Sequence, residues 1–128
     1  MLDHIGIKVT DIQRAKAFYD AALKPLGVSV VMDVSAEETG STPYLGYGEG
    51  FKPYFWINQQ PRATELIHVA FAADNRAKVD AFYAAAIAAG GRDNGPPGPR
   101  PLYHPGYYGA FVLDPDGHNI EAVCHTPE

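Results

Sequence analysis

Residues 4–27, HIGIKVTDIQRAKAFYDAALKPLG, are answered 64 positions later by residues 68–91, HVAFAADNRAKVDAFYAAAIAAGG. In this register His4 falls on His68, Asp11 on Asn75, Phe18 and Tyr19 on Phe82 and Tyr83, and Gly27 on Gly91. Ala21, Ala22 and Leu23 fall on Ala85, Ala86 and Ile87, and no gap is needed. Composition bias explains the alanine matches. It does not explain His, Phe-Tyr and Gly agreeing in one register, so the chain reads as a duplicated unit. Two copies are too few for a solenoid and imply two units packed as a pair.

Each copy has the same local grammar. Residues 2–9 alternate, with Ile5, Ile7 and Val9 on one face and His4, Gly6 and Lys8 on the other, which predicts a strand. Thr10 followed by Gln13 fits a capping box. Ile12, Ala15, Phe18, Tyr19, Ala22, Leu23 and Leu26 then recur at helical spacing until Pro25 and Gly27 stop the helix. Residues 28–34 read as a strand, 35–42 as a polar loop, and 44–47 and 54–58 as two short strands. In the second copy residues 66–72 alternate, and a helix is expected over about 75–89. The five prolines between residues 92 and 106 predict an irregular loop. Strands at 108–113 and 119–124 follow, joined by a turn at Asp114-Pro115-Asp116-Gly117. The expected fold is α+β: two βαβββ modules in tandem (about 1–60 and 65–128) within one domain, their curled mixed sheets around a central cleft and their helices on the outer faces.

Composition narrows the function. The 128 residues suit a single domain, 46% of them are hydrophobic, and the formal net charge is -5 with the basic residues scattered. No basic stripe offers a nucleic-acid surface. No apolar run is long enough for a membrane span, and the start of the chain lacks the pattern of a signal peptide. A single cysteine, Cys124, points to a reducing compartment, hence a cytoplasmic protein.

The face assignment carries the chemistry. His4 lies opposite Ile5, Ile7 and Val9, and His68 opposite Ile67, Val69 and Phe71, because side chains alternate across a strand. Their same-face neighbours Gly6 and Ala70 are small, which leaves space for a ligand. On the last strand Glu121 shares its face with Val123 and His125, while Ile120, Ala122 and Cys124 occupy the other. A carboxylate in an apolar strand is costly to bury without a partner. An arginine such as Arg100 could pair with it. Two imidazoles and the carboxylate around one divalent metal would satisfy all three groups; Fe, Mn, Ni and Zn all accept such a set. Cys124 is expected buried on the helix side. His118 and His125 are expected in solvent.

Asp3-His4-Ile5-Gly6-Ile7, His68-Val69-Ala70-Phe71 and the closing run from Leu113 to Glu121 resemble the vicinal oxygen chelate superfamily. Glyoxalase I, extradiol dioxygenases, fosfomycin-resistance thiol transferases and bleomycin-resistance proteins are members. The resemblance implies paired βαβββ modules around a cleft, metal ligands at His4, His68 and Glu121, and a small substrate chelated through adjacent oxygens. It also implies a homodimer in which the site is built within one chain or across two. Glyoxalase I has a fourth, glutamate ligand on the last strand of its first module. The corresponding place here is Ile57 by the repeat offset, or Trp56 by the face argument, and neither is a ligand. The resulting expectation is a metal-dependent lyase or isomerase (lactoylglutathione lyase-like) or a dioxygenase. A metal-free bleomycin-resistance-type binding protein and a fosfomycin-resistance-like transferase are the alternatives. His104 and Tyr108 are candidates for proton transfer, and Trp56, Arg100, Tyr103 and Tyr107 for substrate contact.

Overall fold

The computed structural model describes residues 1–62 and 65–125. The first module runs β1 (Ile5–Val9), α1 (Ile12–Leu23) with a 3-10 turn at Lys24–Leu26, β2 (Ser29–Val34), α2 (Ala36–Thr39), β3 (Tyr44–Glu49) and β4 (Lys52–Gln59). The second runs β5 (His68–Ala72), α3 (Arg76–Ala88), β6 (Arg92–Pro99), β7 (Tyr108–Leu113) and β8 (Asn119–Cys124). Each module makes one four-stranded mixed sheet, ordered β1-β4-β3-β2 and β5-β8-β7-β6, and neither sheet closes on itself. The β1–β4 and β5–β8 pairs are parallel and the remaining pairs antiparallel. No helix among the described residues is long and apolar enough to cross a membrane.

Alternation divides each sheet into a helix face and an open face. Ile7, Val9, Phe55 and Ile57 of the first sheet are buried under the helices with Phe71, Ala110, Val112 and Ile120 of the second. Phe18, Tyr19, Val79 and Phe82 of α1 and α3 complete a single apolar cluster spanning both modules. Complete burial of side chains this size contributes on the order of 1.5–3 kcal/mol each. Cys124 is in this cluster.

Four local expectations are corrected. The cap of α1 is Asp11, whose carboxylate accepts from the backbone N–H groups of Gln13 and Arg14. Thr10 is taken by a distant partner instead: its hydroxyl donates to Asp116 Oδ1 at 2.6 Å and its N–H also meets that carboxylate. Asn75 caps α3 at the repeat-equivalent position. The region expected to be irregular from residue 92 contains strand β6, despite its prolines. β6 lies at the sheet edge, where proline is tolerated, and its register with β7 shifts on either side of Gly95. The polar loop after β2 holds the short helix α2, closed by a capping box between Ser35 and Glu38.

His118 is the fourth. Expected in solvent, it is fully buried. Its Nδ1 accepts from the Ile67 N–H at 3.2 Å and its Nε2 donates to the Lys8 carbonyl at 2.7 Å. Because an N–H can only donate and a carbonyl can only accept, these partners fix the Nε2–H tautomer. Beside it the Tyr19 hydroxyl donates to Asp114 at 2.5 Å. The 114–118 turn of the second module is thereby fastened to the β1–α1 corner of the first.

Candidate functional site

Glu121 lies on β8 with 1% of its surface exposed, although it belongs to the open face. It is paired with Ala70 on one side and Phe111 on the other, so small and aromatic neighbours surround the carboxylate. Its Oε1 lies 2.8 Å from Nε2 of His68, whose side chain is half exposed. Its Oε2 accepts from the Tyr107 hydroxyl. Burial, and then the bond to Glu121, raise the Tyr107 phenol well above its ordinary range, which keeps it a donor. Gly109 leaves room for this contact: a Cβ there would sit 3.2 Å from Glu121 Oε2 and 3.1 Å from Tyr107 Cε1.

The imidazole and the carboxylate suit a divalent ion as donors. Their 2.8 Å separation is that of a hydrogen bond, which an ion taken up by both would replace. His68 and Glu121 are thus two donors of a type a divalent ion accepts, held side by side. His4 belongs to the other sheet, just before β1. Its Nδ1 is 2.8 Å from Asp3 Oδ1, and Asp3 also accepts from Lys52. His4 and His68 line one cleft of about 430 Å³ between the modules, together with Tyr54, Phe55 and Phe71. Within one chain they do not converge: among the described residues no three His, Cys, Asp or Glu side chains gather closely enough to hold an ion.

The strand registers identify the counterpart of Glu121 in the first module. Ala70 pairs with Glu121 and Gly6 pairs with Trp56. Since Gly6 and Ala70 are repeat-equivalent, Trp56 occupies the place of Glu121, and Ile57 is core. The indole lies across Gly46, where a Cβ would come within 2.9 Å of the ring. It meets the Tyr44 ring edge-on at 6.4 Å and lines an open-face hollow with Met32 and Pro53.

The other candidates divide. Arg100 does not pair with Glu121; its guanidinium donates to the Pro96 carbonyl at 2.8 Å and lies over the Phe111 ring. Tyr103 packs edge-on against Tyr107. His104 is exposed, with its ring against His125, which is exposed as well. Tyr108 points the other way, donating to Asp80 of α3 at 2.6 Å with Arg76 over its ring. The Tyr107–Glu121 contact was not legible in sequence, because the chain between them winds through β7 and a turn.

Two βαβββ modules, one presenting a histidine–carboxylate pair and the other a histidine next to its first strand, define a paired-module α+β fold. The chain belongs to the Glyoxalase/Bleomycin resistance protein/Dioxygenase superfamily, whose family model matches residues 1–122. A glyoxalase/bleomycin resistance protein from Albidiferax ferrireducens T118 is 31% identical, with a TM-score of 0.78 over 97% of this chain and 98% of that one. A glyoxalase/bleomycin resistance protein/dioxygenase family enzyme from Burkholderia phytofirmans PsJN shares the fold at 22% identity, TM-score 0.69, over 97% and 98% of the two chains. A glyoxalase I variant from Zea mays shares it at 20% identity, TM-score 0.70, over 99% of this chain and 45% of that one. No protein of curated function matches.

Proposed function

We propose that this protein is a metal-dependent, cytoplasmic enzyme acting on a small molecule with two adjacent oxygens. The observation that carries the reading is Glu121: a carboxylate 1% exposed on the sheet face that also bears His68, with an imidazole nitrogen 2.8 Å away. His68 and Glu121 would hold one divalent ion, with His4 as third donor. His4 stands on the other sheet, so the reading includes a homodimer in which the first-module face of one copy covers the second-module face of the other. Bound there, the ion would supply Lewis-acid stabilisation of negative charge on chelated oxygens. The chain's own contributions are the orientation of Glu121, an apolar wall at Trp56 that excludes water, and an exposed imidazole at His104 within the aromatic group beside Tyr107.

Trp56 in the place equivalent to Glu121 removes the fourth ligand, a second carboxylate. A three-donor set leaves more positions for substrate and favours oxygenase-type chemistry over lyase or isomerase chemistry. Metal analysis of protein purified without added metal tests the central claim. A stoichiometric divalent ion is expected in the wild type and its loss in His68→Ala; a folded wild type that takes up no metal refutes the reading and leaves a metal-free binding protein. Oxygen uptake with ferrous iron and a panel of catechols, set against turnover of the hemithioacetal of methylglyoxal and glutathione, separates oxygenase from lyase. Light scattering at micromolar concentration is expected to show a dimer.

A further inference from the structure

Glu121 is buried, and each of its oxygens has a different partner: His68 on Oε1 and Tyr107 on Oε2. The His68 side of this arrangement opens to solvent, its side chain being 52% exposed, and Tyr107 is partly buried. Tyr107 is itself held in place. Its ring meets His125 at 5.1 Å and Tyr103 at 5.2 Å, both edge-on. Its backbone carbonyl accepts from the Arg100 N–H at 2.8 Å and its N–H donates to the His104 carbonyl at 3.0 Å, closing the loop that carries it. Gly109 then permits the phenol and the carboxylate to meet.

We propose that Tyr107 is the positioning residue of the site: its hydroxyl pins Oε2 of Glu121, so that the carboxylate offers an ion Oε1 alone. The inference rests on the metal reading above and deepens it. A carboxylate free to turn can bind an ion through both oxygens. One with Oε2 occupied by a phenolic O–H binds through one, which leaves a coordination position for substrate. The loop residue thereby acts through Glu121 and not by touching the substrate, the role its sequence position suggested.

The test uses full-length protein stripped of metal by a chelator. Zinc affinity is measured by competition with a chromophoric chelator, and the cobalt complex is followed by its visible absorption. Partners of metal ligands are typically worth about 10- to 100-fold in affinity, so Tyr107→Phe is expected to weaken zinc binding by about that factor, while affinity within about twofold of wild type overturns the proposal. The cobalt spectrum of Tyr107→Phe is expected to change toward a higher coordination number, and an unchanged spectrum overturns the proposal too. If Tyr107→Phe does not fold, Gly109→Ala tests the same contact, since its methyl group would press on both partners, 3.1 Å from Tyr107 Cε1 and 3.2 Å from Glu121 Oε2. It should weaken zinc binding in the same direction, and wild-type affinity there counts against the proposal. A folded wild type that binds neither zinc nor cobalt removes the metal reading and this inference together. A wild type that binds both, beside a variant that binds them equally, removes this inference alone.

Discussion

Asp3 shows how a site residue is prepared by its exposed neighbours. The Lys52 ammonium beside it, and then His4, lower its carboxyl from 3.8 to about 2. The group is exposed, so its energetic weight is small, but its titration is readable. Folding lowers this pKa, so the stabilisation is complete above 3.8 and is lost as the pH falls toward about 2. In an NMR titration Asp3 is expected to move near pH 2 in the wild type and closer to 3.8 in Lys52→Met. A wild-type midpoint at 3.8 would show that the Lys52 contact is not made in solution. His4 depends on the same contact, since Asp3 bonds its Nδ1 and leaves Nε2 as the nitrogen available to a ligand.

At the scale of elements, the duplication is uneven where α1 and α3 end. Gly27 takes a left-handed φ of 79° after α1, but after α3 the left-handed residue is Gly90, at φ 100°. The Gly91 N–H returns to Ala86, as the Val28 N–H returns to Leu23, so the structural repeat slips by one residue there. Gly91 is required for a different reason, close packing. A Cβ on it would meet Val112 at 2.4 Å, Phe18 at 2.6 Å and the Ala86 carbonyl at 2.8 Å. Overpacking of this kind costs about 1–3 kcal/mol, so Gly91→Ala should lower the urea midpoint accordingly. Gly27→Ala strains a left-handed turn with open space around it and tests the backbone alone. A Gly91→Ala protein as stable as wild type would mean that α3 and β7 are less tightly packed than the structure shows.

For the whole molecule, the 114–118 turn decides whether two modules behave as one body. His118→Ala strips a hydrogen-bond partner from Ile67 in one module and Lys8 in the other. Leaving such groups unpaired costs about 1–3 kcal/mol. Because these contacts and the shared core join the modules, far-UV and near-UV transitions in urea should coincide in the wild type and move together in the variant. Two separate transitions would show that the modules fold independently.

The repeat, the βαβββ order of the first module, the strands β7 and β8, and the faces bearing His4, His68 and Glu121 were all determined by periodicity within a few residues. Local sequence is enough for such features, because alternation and helical spacing follow from backbone geometry. The repeat aligns Asp11 with Asn75, but local sequence favours Thr10 as the cap, because Asp116, which takes the Thr10 hydroxyl, lies 106 residues away. Only the tertiary structure buried His118, held Glu121 between His68 and Tyr107, and set Trp56 instead of Ile57 in the place matching Glu121. Each of these depends on strand register or on partners distant along the chain, which no local pattern encodes. The same holds for His4: its face was readable, but its separation from the His68–Glu121 pair follows from how the two sheets pack.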